Sequence, residues 1–364
     1  MKLFFLASDL GDSDTASQLA LLACALPRDQ FEVAVGVLGP ATGAAADALR
    51  DSGLSVSALP VRAALDLSGM RRLRRAVQGC GATVFHAFGT NAVRIARLCL
   101  ARFDEGTAPR LVATGAVNPG NGVGGWLTAR QVRRADRVIA TSWVQGERYR
   151  QIGVTNDRLT RIAPAVALIE KCADRTQFCR AIGSPEDGQL IFAGGRLDAA
   201  HGVKESVGAF DMIRYSSPAI QLVLTGDGPD RVAAENLGRA LAFDDYRVRF
   251  SGARSDLPAA TLLANLVWVT CERGGEHLAL RAMAAGKPIV AYNTPELSEI
   301  VDDGVTGYLI PTGDRPALAA KTQALLADPE TATRMGEAAR TRAVERFGVA
   351  RFVDQHVRVY QELG

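Results

Sequence analysis

Short β-branched or aromatic runs alternate with helical stretches along this chain in two successive series, and that rhythm limits its folds more than any other feature. The first series is Leu3–Leu6, Phe31–Val37, Val56–Leu59, Thr83–His86, Leu111–Thr114 and Val138–Thr141. The second is Leu190–Ala193, Ile220–Thr225, Val248–Phe250, Leu266–Thr270, Pro288–Ala291 and Gly307–Ile310. Strands alternating with helices build parallel βαβ units, so two series predict an α/β protein with two doubly wound sheets. Size agrees: 364 residues exceed what one core usually fills, and 48% hydrophobic residues supply two. The joint is expected near residue 165, because Arg161–Gly188 carries Pro164 and Pro185 and no clean period. Near the end, Val349, Val353, Val357 and Tyr360 have helical spacing and form one apolar stripe, which needs a partner surface.

Composition narrows the functions. Charged residues make up 22% and the net charge is +3, so nothing global points to nucleic acid. The six cysteines, Cys24, Cys80, Cys99, Cys172, Cys179 and Cys271, stand singly, without a CxxC pair or a histidine at metal-ligand spacing, and read as reduced thiols with no metal site. Lys2 before an apolar run resembles the start of a signal peptide. Asp9 ends that run after about five residues, too few for a signal or a membrane span, so the segment reads as a buried first strand and the protein as cytoplasmic.

Three glycine-rich turns sit where doubly wound folds bind ligands, at the carboxyl ends of strands. Gly194-Gly195-Arg196-Leu197 follows one strand, and Gly202-Val203 opens the next helix. Gly226-Asp227-Gly228-Pro229 follows the strand ending in Leu222-Val223-Leu224. Cys271 to His277 leads into Leu278–Ala285, then Gly286-Lys287-Pro288 and another strand. Each turn alone is a weak signal, since a glycine turn with a solvated arginine needs no ligand.

In order, these blocks resemble the second half of the group 1 (family 4) glycosyltransferases. The matching segments are Ala193–Leu197, Thr225–Pro229, Val248–Gly252, Ala282–Pro288 and Glu299–Gly307, joined in the first half by Phe85–Gly89 and Arg134–Ser142. The resemblance covers nearly the whole chain. It implies a GT-B fold: two Rossmann-like domains facing a central cleft, an acceptor-side domain at 1–165, a nucleotide-sugar-side domain at 166–345, and a helix at 346–364 returning to the first domain. It further implies a nucleotide-sugar as donor substrate, retention at the transferred sugar, no cofactor and no metal.

Several positions depart from the family pattern. Where the family carries two carboxylates separated by seven residues, this chain has Arg273 and Arg281; with a turn three residues shorter, Glu276 becomes the first carboxylate, and Arg281 stays under either alignment. An arginine cannot accept the ribose hydrogen bonds expected there. The diphosphate-binding Arg and Lys fall on Arg196 and His201, and His277 reads as a turn residue rather than a base. In the first half, the loop Gly11-Asp12-Ser13-Asp14 has Ser13-Asp14 in place of a glycine pair, Gly115 replaces a histidine, and His86 matches another family histidine. With five lysines against 37 arginines, a Lys-to-Arg exchange would be unremarkable in this chain, but a Glu-to-Arg reversal is not.

Two functions therefore stand. One is a glycosyltransferase-like protein impaired in the usual chemistry, whose Arg196, Arg273 and Arg281 hold a nucleotide-sugar or another anionic small molecule. The alternative is an active transferase in which Arg196 and Glu276 take part, with His86 a second catalytic candidate. The run Arg71-Arg72-Leu73-Arg74-Arg75 reads as a solvated helix face, against peripheral contact with the inner face of a membrane. Trp126 belongs to a glycine-rich loop that starts at Asn118-Pro119-Gly120. The residues name neither acceptor nor oligomeric state.

Overall fold

The computed structural model describes the chain except residues 12, 62–65, 105, 116–122, 216–218, 243–246, 253 and 255. It forms two compact units, Met1–Ala165 with Val349–Gly364, and Val166–Gly348. Asp12 and residues 118–122 of the glycine-rich loop lie outside the described residues, whereas Trp126 lies exposed on the helix Val123–Val132 rather than in a loop.

Unit 1 is built on β1 (Lys2–Ala7), β2 (Glu32–Val37), β3 (Ser55–Ala58), β4 (Val84–Phe88), β5 (Arg110–Thr114), β6 (Arg137–Ala140) and β7 (Leu159–Arg161). They form one parallel sheet in the order β3-β2-β1-β4-β5-β6-β7. Both faces of a parallel sheet are covered by helices, so its strands are apolar on both sides. In β1, Leu3 and Phe5 enter one core and Phe4 and Leu6 the other. The first core is closed by the helices Asp14–Ala25 and Val349–Gln361, the latter inserting Phe352, Val353, Val359 and Tyr360. This is the partner that the apolar stripe required. Within the helix, Val349 and Val357 pack at the edge of the core.

Unit 2 holds β8 (Gln189–Gly194), β9 (Ile220–Thr225), β10 (Val248–Gly252), β11 (Leu266–Val269), β12 (Ile289–Tyr292) and β13 (Gly307–Ile310), a parallel sheet in the order β10-β9-β8-β11-β12-β13. Trp268 is fully buried in β11, and its Nε1–H donates to Thr322 Oγ1 at 2.7 Å, so the one polar atom of a large core side chain is satisfied. Caps fix the helix starts: Ser13 Oγ accepts from the Ala16 N–H at 3.2 Å, and Asp314 and Asp328 do the same for the helices Arg315–Ala327 and Pro329–Phe347.

The strand order reverses between β1 and β4 in unit 1 and between β8 and β11 in unit 2. Flanking loops at such a reversal leave in opposite directions, which opens a crevice at the carboxyl ends of the strands. Both sequence-predicted sheets are present. The edge strand β7 was not among the predicted runs.

Among the described residues, no helix is long and apolar enough to cross a membrane. The basic run lies on the helix Leu67–Gly79, with Leu73 buried, Arg72 donating to the Pro60 carbonyl at 3.0 Å and Arg74 placed 5.3 Å over the Phe103 ring. Half of its arginines are thus tied to their own unit.

Candidate functional site

The unit 2 crevice is formed by the loops that leave β8, β9 and β11. Gly194 ends β8 at φ 115°, and a Cβ there would lie 2.3 Å from the Thr225 carbonyl oxygen. Gly195 follows at φ 105°. On the β9 side, a Cβ on Gly226 would sit 1.9 Å from the Gly195 oxygen, and one on Gly228 2.3 Å from the Leu197 oxygen. Contact this close leaves room only for glycine, so these residues exist to bring two loops together. Hydrogen bonds hold the pair: Gly195 N–H to Thr225 O at 3.0 Å, Leu197 N–H to Asp227 O at 3.0 Å, and Asp230 N–H to Leu197 O at 2.9 Å.

The loop after β11 joins the same cluster. Glu272 N–H donates to the Ala200 carbonyl at 2.9 Å, and Thr270 Oγ1 meets Ser206 Oγ at 2.9 Å. Gly202, at φ 65°, caps the helix Val203–Ile213 where a Cβ would meet the Thr270 oxygen at 2.2 Å. Gly275, at φ 88°, caps the helix Glu276–Ala284 against Val269 and Cys271. Glu276 and His277 therefore open a helix, not a free turn. N–H groups without an intrahelical partner at two helix starts and a fixed glycine framework suit an anionic ligand.

Two basic side chains lie on this framework, organised by Asp198. Its carboxylate accepts from Arg196 Nε at 2.9 Å and pairs with His201 Nδ1 at 2.6 Å, while also capping the short turn Ala199–His201. Burial pushes the Asp198 carboxyl upward, but the hydrogen bonds and charge of His201, with Arg196, outweigh it and hold the group below its ordinary value. Arg196 remains 68% exposed, so its guanidinium is presented to solvent rather than consumed by the pair. Sequence reading missed Asp198. Its signal was local: an acid two residues after Arg196 and three before His201.

Arg273 is exposed on the β11 loop, and Arg281 is half-buried in the last turn of the helix Glu276–Ala284. A cation near a helix C-terminus is favoured by the helix dipole, which gives Arg281 a local structural rationale. Glu276 and Arg281 are five residues apart, so they leave the helix about 140° from each other.

In unit 1, Gly11, Ser13 and Gly115 gather at the carboxyl ends of β1 and β5. Ser13 Oγ donates to Asp9 at 3.1 Å besides capping its helix, and Asp14 opens that helix. Gly115 has φ 64°, and a Cβ there would lie 3.9 Å from the Gly89 nitrogen. His86 does not join them at the surface. It is fully buried in β4, with Nδ1 at 2.6 Å from Tyr360 Oη and Nε2 at 2.7 Å from Thr114 Oγ1. Burial, then the neighbouring His356, hold its proton affinity well below the ordinary value. Both ring nitrogens are occupied, so in this arrangement His86 fastens the last helix to the sheet. Among the described residues, no three or more His, Cys, Asp or Glu side chains are grouped to hold a metal ion.

Comparisons with known proteins match both units. The family pattern described as "Glycosyltransferase Family 4" matches residues 16–169, and "Glycosyl transferases group 1" matches residues 174–342. The chain is 29% identical over 247 residues to an alpha-D-kanosaminyltransferase of Streptomyces kanamyceticus, covering 66% of this chain and 64% of that protein. It is 29% identical over 191 residues to an N-acetyl-alpha-D-glucosaminyl L-malate synthase of Bacillus anthracis, covering 52% and 50%. The matched stretch thus spans about one half to two thirds of these relatives. Among solved structures, Anabaena HepE in complex with UDP-glucose superposes with a TM-score of 0.83 at 19% identity, over 100% of both chains. Sucrose-phosphate synthase from Thermosynechococcus elongatus does so with a TM-score of 0.77 at 20% identity, over 100% and 99%. With two parallel α/β sheets of this order and a matching family pattern on each half, the chain belongs to the group 1 (family 4) glycosyltransferases and has their GT-B fold.

Proposed function

We propose that this protein binds a nucleotide-sugar, or a closely related nucleotide diphosphate, in the β8, β9 and β11 loops of unit 2, and that it transfers sugar by the usual carboxylate chemistry slowly or not at all. The binding half is supported by the glycine framework Gly194, Gly195, Gly202, Gly226 and Gly228 around an exposed Arg196, and by the UDP and UDP-glucose held by the structurally similar HepE. Arg196 and the helix-start N–H groups would take the diphosphate, with His201 and Arg273 beside them. The observation that carries the second half is Arg281: a cation occupies the place where the family resemblance puts a ribose-accepting carboxylate. A missing acceptor opposite a buried hydroxyl costs about 1–3 kcal/mol, or one to two powers of ten in affinity.

The test is calorimetry with UDP-, GDP- and ADP-glucose, paired with a sugar-release assay. Binding of one nucleotide series at micromolar to millimolar concentration with turnover far below its rate in an Arg281→Glu variant is the expected result. Absence of binding by all three series sinks the binding half; brisk turnover by the wild type sinks the other. A second reading, an active transferase, is favoured by the placement of Glu276 in the first turn behind Gly275. It predicts that Glu276→Gln abolishes measurable turnover while leaving nucleotide affinity within a factor of about three.

A further inference from the structure

At the edge of the unit 2 sheet opposite the glycine loops, where β8, β11 and β12 begin, lies a cavity of about 360 Å³. Its floor includes Gln189 and Leu266, the first residues of β8 and β11, and Lys287, which leads into β12. The helices Arg315–Ala327 and Pro329–Phe347 wall it with Leu325, Pro329 and Arg340. The volume falls within the range of small-molecule sites.

The charges facing this space are unbalanced. Lys287 is half-buried, and among the described residues its ammonium forms no ion pair and no hydrogen bond. Withdrawal from water lowers its proton affinity, as does Arg175, while Cys172 opposes the shift. Arg340 donates from Nη1 to the Ala284 carbonyl at 3.3 Å and also lines the cavity. Against these two cations stands one carboxylate, Glu337, which is exposed. A cation held partly out of water without a counter-charge is unfavourable, and an anion entering the cavity offsets that cost. The half-buried Leu326 and the exposed Pro329 offer an apolar surface beside the cations.

We propose that this cavity is a second small-molecule site, separate from the glycine loops, that binds a small organic anion with its phosphate or carboxylate on Lys287 and Arg340 and its apolar body against Leu326 and Pro329. Two cations converging on one head group favour a charged ligand over its neutral analogue by more than a surface pair would.

Calorimetry on the full chain tests this with phenyl phosphate and benzoate as probes and benzyl alcohol as the uncharged control. The expected result is millimolar binding of at least one anion, at least about tenfold weaker binding of benzyl alcohol, and a loss of about tenfold or more in both Lys287→Met and Arg340→Gln. Phenyl phosphate binding alone assigns a phosphate site, and benzoate binding alone a carboxylate site; either supports the proposal. Arg196→Gln, in the glycine loops, is expected to leave the affinity unchanged, so failure here is distinguishable from failure of the nucleotide site. The proposal is overturned if neither anion binds at about 20 mM, if benzyl alcohol binds equally well, if neither cavity variant changes the affinity, or if only Arg196→Gln does. Thermal unfolding checks that the variants fold; if Lys287→Met does not, the Arg340→Gln result decides.

Discussion

Lowering the pH from 7 to 5 should loosen unit 1 through its buried histidines. His356 is buried inside the last helix, and its Nδ1–H donates to the Phe352 carbonyl at 2.8 Å. Burial lowers its pKa from 6.5 to about 4. In the unfolded chain the imidazole takes up a proton below pH 6.5; in the folded chain it stays neutral until about pH 4. The unfolded state therefore binds more protons across that window, and stability rises with pH there. The stabilisation is fully present above pH 6.5 and lost as pH falls toward 4. At 1.36 kcal/mol per pKa unit, the part lost between pH 7 and pH 5 is about 2 kcal/mol. His86, whose ring centre lies 5.9 Å from that of His356 and whose proton affinity is also lowered by burial, adds in the same direction. Hydrogen exchange on peptides covering β4 and the helix Val349–Gln361 reads the opening free energy of unit 1 alone, after correction for the intrinsic pH dependence of exchange. The control is His356→Asn, which keeps an N–H donor near the Phe352 carbonyl and removes the titration; it is expected to be less stable at every pH and to show a shallower slope. Equal slopes in the wild type and in His356→Asn would refute the argument, because the acid sensitivity would then arise elsewhere.

Other outcomes follow from single contacts. Gly226→Ala would place a Cβ against the Gly195 carbonyl at φ 86° and should abolish nucleotide binding and lower the melting temperature of unit 2, read by calorimetry and thermal unfolding. Arg196→Gln removes the exposed cation of the site and should weaken UDP binding by about tenfold to a hundredfold, whereas Asp198→Asn, which loosens both Arg196 and His201, should weaken it less. Trp268→Phe deletes the hydrogen bond to Thr322 inside a full core and should cost about 1–3 kcal/mol in urea unfolding of unit 2. Glu205→Gln breaks the two-pronged pair with Arg315, but both side chains are more than one third exposed, so the loss should stay below about 1 kcal/mol.

The sheets were legible because parallel strands covered on both faces leave unbroken apolar runs, as in Leu3–Leu6 and Leu222–Leu224. β7, Leu159–Arg161, escaped because an edge strand of three residues with one apolar side chain carries no such run. The glycine turns were legible for a steric reason, since Gly194, Gly226 and Gly275 stand at positive φ directly after strands or before a helix. Asp198 was overlooked because an acid in a polar loop looks like any other; only its bonds to Arg196 and His201 mark it. The fate of His86 was beyond local reading altogether. Its partner Tyr360 lies 274 residues away, and no spacing rule reaches that far. Arg281 was visible as a departure from the family pattern, while its place in a last helical turn came only with the structure.

The helix Val349–Gln361 also constrains the order in which the molecule can assemble on the ribosome. Unit 2 is encoded entirely between residues 166 and 348, inside a unit 1 whose final piece is made after it. Synthesis proceeds from the N-terminus, so the sheet of unit 1 exists for some time without the side chains of Phe352, Val353, Val359 and Tyr360 on its first core. During that interval Phe5 and Phe31 lack the Tyr360 ring, and His86 lacks its bond to the Tyr360 hydroxyl. Unit 2 has no such debt to later sequence. A chain stopped at residue 348 would therefore carry a finished C-terminal sheet and an N-terminal one prone to aggregate, the reverse of what simple vectorial folding would suggest.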